Sequence, residues 1–375
     1  MLKKKILSKK IKFLIIVAGC RAGAELFQSL LDSHHQIIQF PGTIFFNKKI
    51  KNLFNSNYEK IADNFVSDYP YFFDSRIKTV ERHFMLGQNK DEFYIVDKNV
   101  FKDNFLLLNV NNGKKTFDQV IIDLHFAYQK TINNQSNFEE VKYILINTHT
   151  LKNTKNFYEL FKDIDFEIIH SIRHPLSAIN SATKNWINYK GGFNFNAKDI
   201  FYQINLITRS LNFLTKLNKK FFVVQLENMH QNSDYFINDF CEKFQIIKNE
   251  NLFNSTFHGK KWWGDAVSGK FLSGLNKDYK IQINNYDYLI DDDCNYFCEI
   301  MKKFFQNYGY EINFIKKKYI LWKPLKCELS TWKNSFKNKK FKHLLSIPFF
   351  YFLRILLINK FFCKYTNLPY SIGKK

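Results

Sequence analysis

Residues 15–35 read IIVAGCRAGAELFQSLLDSHH, and the pattern in this stretch decides the fold. An apolar run, with residues 13–18 as a buried strand, leads into a short turn carrying Arg21 and Gly23, and an amphipathic helix over 24–32 follows. Strand, tight turn and helix together build an anion cradle. The turn releases backbone N–H groups, the helix N-terminus adds about half a positive charge, and Arg21 can pair bidentately with a phosphate or sulfonate. No G-x-x-x-x-G-K-[ST] pattern occurs, so this is not a Walker loop. The plain alternative is an ordinary β-α turn with a solvated Arg.

The same alternation continues along the chain. Expected strands are Tyr94–Val96, Val141–Ile146, Phe166–Ile172 and Phe221–Leu226; expected helices cover 116–130, 153–162, 176–187, 200–217 and 233–244. Strands alternating with helices predict an α/β protein with a parallel, doubly wound sheet in a three-layer sandwich. In such sheets ligands bind beyond the carboxyl ends of the strands. Arg21, His149, Arg173 and Glu227 each closely follow an apolar run, so the pattern converges on one edge of the sheet. Residues 43–135 are mixed and aromatic, and read as an insertion that shapes the acceptor site.

These positions carry a resemblance to the sulfotransferase superfamily, as a divergent bacterial member with a P-loop-like fold. The family's 5′-phosphosulfate loop is Arg/Lys-Ser-Gly-Thr-Thr, followed by a helix ending near Leu-Leu-Asp-x-His. Here the loop is Arg21-Ala22-Gly23-Ala24-Glu25 and the helix ends Leu30-Leu31-Asp32-Ser33-His34. Both hydroxyl positions are lost, and Glu25 beside an anion is unfavourable unless it points away. Ile172-Arg173-His174-Pro175 with Ser181 resembles the family's Arg and Ser that hold the 3′-phosphate of 3′-phosphoadenylyl sulfate (PAPS). The resemblance makes His149, in Asn147-Thr148-His149, the general base; Asn147 stands where the family has Lys. Glu25, Glu81, His83 and His125 are reserve bases. Leu226-Glu227-Asn228-Met229 is similar to a late segment whose Glu is mainly structural. Lys260 and Lys261, in GKKWWGD, resemble a loop closing over the nucleotide, although its rings suit a core equally well.

The resemblance spans residues 13–310. It implies a sulfotransferase-like domain over 1–310, a basic and aromatic extension over 311–375, and PAPS as cosubstrate with no metal. The implied reaction moves a sulfuryl group to an acceptor hydroxyl, on a carbohydrate or glycolipid. The alternatives are a non-catalytic nucleotide- or glycan-binding relative, or a P-loop kinase-like phosphotransferase.

Composition is compatible with this reading. The chain has 375 residues, 45% hydrophobic and 18% aromatic, with 42 Phe and 20 Tyr, a bias typical of an AT-rich genome. The formal charge of +22 favours polyanions, anionic membranes or a multiply charged cosubstrate. No nucleic-acid-binding signature accompanies it, so no nucleic-acid partner is expected. The six Cys are scattered, and read as reduced thiols of a cytoplasmic protein; Cys294 and Cys298 sit i, i+4 without a nearby His, so no metal site is expected. Val17-Ala18-Gly19-Cys20 resembles a lipoprotein cleavage box, but the apolar run before it is shorter than a signal peptide needs. Leu344–Ile358 is apolar but interrupted by Pro348 and Arg354, too short to span a bilayer. With its basic flanks, the 335–365 region reads either as a peripheral membrane contact or as a helix packed on the domain.

Overall fold

The computed structural model describes residues 11–18, 21–46, 50, 56–77, 86–108, 116–133, 138–149, 151–161, 164–189, 201, 204–205, 208, 221–264, 273–281, 286–312, 322–326, 328–329 and 341–358. The elements, in chain order, begin with β1 (Lys12–Ala18), α1 (Ala24–Leu30) and β2 (Ile37–Thr43). Helices α2 (Tyr58–Asp68), α3 (Pro70–Phe73), α4 (Lys98–Leu107) and α5 (Phe117–Ile132) follow. Next come β3 (Tyr143–His149), α6 (Leu151–Leu160), β4 (Phe166–Ile172), α7 (Pro175–Tyr189) and β5 (Phe221–Gln225). Then come α8 (Leu226–Gln231), α9 (Ser233–Phe244), the two-residue strands β6 (Thr256–Phe257) and β7 (Lys260–Lys261), α10 (Asp291–Ile300), α11 (Lys302–Tyr308) and α12 (Phe341–Leu356).

The expected α/β architecture is present: a central parallel sheet of five strands in the order β2-β3-β1-β4-β5, flanked by helices. β1 is central because Phe13–Val17 are apolar on both faces and all buried, as a parallel strand covered by helices requires. β1 and β3 pair from Lys12 beside Tyr143 to Val17 beside His149, with an irregularity at Ile16/Val17. The strand order reverses between β1 and β4, the topological switch point where such sheets open a crevice.

Two compact units make up the chain. The first comprises Met1–Val17, Ala24–His170 and Asn228–Lys277; the second comprises Ala18–Gly23, Ser171–Glu227 and Asp278–Lys375. In the first unit, the described residues of the 43–135 segment are mainly helical. Asn57 caps α2 by accepting from the Lys60 N–H (3.0 Å), and Asp97 caps α4 by accepting from Asn99 N–H (2.8 Å) and Val100 N–H (3.1 Å). These helices bury an aromatic cluster against the edge strand through Phe40, whose ring lies 5.0 Å from those of Phe65 and Phe72 and 4.7 Å from Tyr128.

Two sequence expectations change. β2 is not among the expected strands, because Ile37–Thr43 contains Pro41 and Gly42. Proline is tolerated because β2 is an edge strand whose register breaks between Gln39 and Thr43. Tyr94–Val96 is not a strand: Ile95 makes an isolated antiparallel bridge to Asp74, supported by bonds of Ser75 N–H to Tyr94 O (3.1 Å) and Val96 N–H to Phe73 O (2.8 Å). Arg354, which interrupts the C-terminal apolar run in sequence, is accommodated in α12 by a buried ion pair with Glu328. The expected helix over 200–217 lies outside the described residues apart from 201, 204–205 and 208, which are helical, and Glu81 and His83 lie outside them altogether.

Candidate anion-binding site

In the second unit, the loop after β1 and the loop after β4 are tied together. Ser171, at the end of β4, donates its hydroxyl to the Ala22 carbonyl (2.6 Å). The turn itself is strained: Arg21 has φ 39°, in the left-handed region that costs an L-residue about 1–2 kcal/mol. Gly23 has φ 79°, and a Cβ placed there would lie 2.5 Å from Leu226 Cδ1. Glycine is therefore required twice over, by the dihedral and by the close approach of α8.

Arg173 follows β4 and is half-buried. Tyr279 hydrogen-bonds its guanidinium, and its Nε is buried with no hydrogen-bond partner among the described residues. A buried N–H of this kind is uncommon and is normally satisfied by a bound acceptor or water. Behind Arg173, buried Glu227 accepts from the His174 N–H (2.8 Å) and the Tyr310 hydroxyl (2.9 Å). Burial, and then the charge of Glu227, push the Tyr310 hydroxyl well above its usual value, so it stays a donor. His174 is pushed down to about 4 by burial and by Arg173, so the imidazole is neutral at physiological pH. Ser177 lies 3.5 Å from His174 Nδ1 and hydrogen-bonds Tyr286. Ser181 is half-buried one turn further along α7. The arrangement is a largely buried frame of Glu227, His174 and Tyr310 behind a half-buried cation, beside a strained, glycine-dependent turn.

The remaining sequence candidates lie in the first unit. Ala24 opens α1 and is buried; Glu25 is half-exposed in the first turn, where a carboxylate suits the helix dipole. α1 has seven residues, so its dipole is modest. His149 ends β3 at φ 55°, also in the left-handed region. Its N–H donates to Asn147 Oδ1 (2.9 Å), and Asn147 Nδ2 donates to Gln28 Oε1 on α1 (2.8 Å). Thr148 donates to the Ile16 carbonyl (2.8 Å), locking the end of β3 to β1. Asn147 is thus committed to the frame. His125 is core: its Nδ1–H donates to Ile121 O (2.7 Å), its ring sits 4.3 Å from Phe40, and burial pushes it down to about 4.

Lys260 pairs with Glu92 (2.6 Å) and Lys261 lies 4.1 Å over the Trp263 ring, so within this unit both cations have local partners. Asp32, from the Leu-Leu-Asp-x-His stretch, accepts from Thr256 Oγ1 and Gly259 N–H (both 2.9 Å); His34 Nε2 donates to Ile247 O (2.8 Å). That motif half anchors the β6–β7 hairpin to the end of α1. Cys241, Cys294 and Cys298 are free and buried, with Cys294 and Cys298 pushed up to about 12 by burial, which leaves them unreactive thiols. Sequence reasoning did not find Ser171, Tyr279, Tyr286 or Tyr310. None belongs to a spaced motif, and only Ser171, a small polar residue ending an apolar strand, carried a signal.

No protein-family model and no curated protein matches this chain. Among solved structures, it is similar to the sulfotransferase domain of the olefin synthase of Synechococcus PCC 7002, at 10% identity and TM-score 0.35 over 66% of this chain and 78% of that one. It is similar to the sulfotransferase domain of the curacin biosynthetic pathway, at 10% identity and TM-score 0.37 over 88% of this chain and 98% of that one. It is also similar to sulfotransferase STF9 from Mycobacterium avium, at 10% identity and TM-score 0.39 over 82% of this chain and 80% of that one.

Proposed function

We propose that this chain is a sulfotransferase that moves the sulfuryl group of PAPS to an acceptor hydroxyl on a carbohydrate or glycolipid. The observation that carries the reading is Arg173: a half-buried guanidinium whose Nε lacks a partner among the described residues, on a loop tied through Ser171 to the Arg21–Gly23 turn. An acceptor-rich anion such as a phosphate supplies what that N–H lacks. Arg173 and Ser181 would hold the 3′-phosphate, and Arg21 with the N–H groups around Gly23 and Ala24 would hold the 5′-phosphosulfate.

His149 is assigned the acceptor's proton, because a neutral imidazole nitrogen can take a proton from a hydroxyl. The acceptor oxygen then attacks sulfur, and the bond from sulfur to the bridging oxygen breaks. Adenosine 3′,5′-bisphosphate leaves with negative charge developing beside Arg21. Remote binding of the 3′-phosphate would position the sulfuryl group for in-line attack. The loop hydroxyls found in the sulfotransferases are absent here, so charge stabilisation rests on Arg21 and backbone amides.

Isothermal calorimetry with adenosine 3′,5′-bisphosphate, with ATP as the comparison, tests the reading. Binding of the bisphosphate in preference to ATP, weakened about tenfold or more in Arg173→Ala by loss of a charge-assisted pair, is the expected result. Failure to bind refutes it. Binding without transfer of labelled sulfate to extracted glycans and lipids identifies a non-catalytic nucleotide-binding relative instead.

A further inference from the structure

We propose that α12 docks the protein onto an anionic membrane surface through an exposed aromatic stripe. Arg354 fixes which way the helix faces. It is 0% exposed, its Nε donates to Glu328 Oε1 (2.6 Å), and its Nη2 donates to Glu328 Oε2 (2.9 Å) and the Lys323 carbonyl (3.0 Å). Its guanidinium also lies 4.9 Å over the Tyr296 ring. On the same side, Phe350 packs against Phe201 at 5.7 Å. At 3.6 residues per turn, Phe352, Leu356 and Phe349 lie about 160°, 200° and 220° around the helix from Arg354. They are 60%, 78% and 61% exposed. A buried bidentate ion pair therefore holds a three-residue apolar stripe outward.

Two further observations favour a lipid surface over a protein partner. Trp322, 65% exposed, accepts at its carbonyl from the Tyr351 hydroxyl of α12, which places an indole beside the helix as in interfacial aromatic belts. In sequence, no Asp or Glu occurs from Leu329 to Lys375, while Lys333, Lys337, Lys339, Lys340 and Lys342 precede the stripe. Basic charge close in sequence to an aromatic helix face is the composition that adsorbs to anionic headgroups. No helix among the described residues is long and apolar enough to cross a membrane, so α12 would lie in the interface rather than span it.

The proposal stands apart from the transferase reading and is tested without it. The full chain is sedimented with vesicles of phosphatidylcholine alone or of phosphatidylcholine with phosphatidylglycerol, across a salt series. The expected result is binding to the anionic vesicles that falls with salt, weakened about tenfold or more in Phe349→Asp/Phe352→Asp. A second variant, Phe349→Ser/Phe352→Ser, removes the aromatic area without adding charge and should weaken binding in the same direction. Three results overturn the proposal: no binding to anionic vesicles at low salt, equal binding to neutral ones, or binding indifferent to both variants. A wild-type dimer that becomes monomeric in the Ser variant without any vesicle binding also overturns it, by assigning the stripe to a second copy.

Discussion

Replacing Gly23 by Ala isolates the energetics of the turn between β1 and α1. Two costs are readable. Placing a Cβ at φ 79° costs about 1–2 kcal/mol. The same Cβ lies 2.5 Å from Leu226 Cδ1, so the leucine must leave its place. Because that atom ends a flexible side chain, the displacement costs about 0.5–1.5 kcal/mol, as an off-rotamer shift rather than a backbone clash. Ala also stiffens the unfolded chain, which offsets about 0.4–1 kcal/mol. The net expectation is a loss of about 2 kcal/mol in urea unfolding. The steric share is separable: in Gly23→Ala/Leu226→Ala the two costs should sum to about 1 kcal/mol less than the singles predict, since truncating Leu226 makes room for the added methyl group. If the tied turn holds an anion, affinity for adenosine 3′,5′-bisphosphate should fall with the first substitution and recover partly in the double variant. A stable Gly23→Ala protein, or strictly additive singles, refutes the reasoning that the turn is set by close approach of α8.

Three other outcomes follow from the frame. Ser171→Ala leaves the Ala22 carbonyl without its buried donor and should cost about 1–3 kcal/mol by urea unfolding; a neutral effect would show that the 2.6 Å bond does not hold the turn. Asn147→Lys should destabilise by about 3 kcal/mol or more. A Lys cannot accept the His149 N–H, and it puts a cation at a buried position. A variant that unfolds at the wild-type urea concentration would contradict this. His125 and His174, pushed down to about 4, and His170, pushed down to about 3, remain neutral when folded, whereas in the unfolded chain they protonate below about 6.5. The unfolded state therefore binds more protons in that window. Stability is full above about pH 6.5 and falls as pH drops toward 4, by up to about 1.4 kcal/mol per pH unit for each group. An unfolding free energy that is flat between about pH 6.5 and 4.5 would refute the assignment.

Buried parallel strands were legible because nothing in them is ambiguous. Phe13–Ala18 and Tyr143–Ile146 are unbroken runs of apolar and aromatic residues, and a strand covered on both faces needs just that. β2 was illegible for the opposite reason: Pro41 and Gly42 are strand breakers, and only its position at the sheet edge makes them tolerable. The helices over 58–68 and 98–107 escaped because their signals are the caps Asn57 and Asp97, which are isolated polar residues among many in this Asn- and Lys-rich chain. Arg21 and Arg173 could be read because a cation after a strand is a local pattern. Tyr279 and Tyr310 could not, because they reach Arg173 and Glu227 from far along the chain.

The strained residues sharpen that division. Arg21 and His149, the two residues the sequence singled out for chemistry, both sit in the left-handed region, at φ 39° and 55°. Such conformations persist only where the surroundings over-determine them, and the surroundings here are buried hydrogen bonds. Ser171 holds the Ala22 carbonyl in one unit; Asn147, anchored by Gln28, holds the His149 N–H in the other. The sequence singles out the residue, and the structure shows its strain and its clamp. In the sulfotransferases, Lys occupies the position of Asn147. Here that position serves as a clamp, so in the proposed reaction charge on the leaving oxygen would fall to Arg21 and the turn's own amides. That turn consequently carries both the geometric constraint at Gly23 and the electrostatic demand of the proposed reaction. Substitutions there should separate the two, with Gly23→Ala moving stability and affinity together and Arg21→Ala moving transfer most.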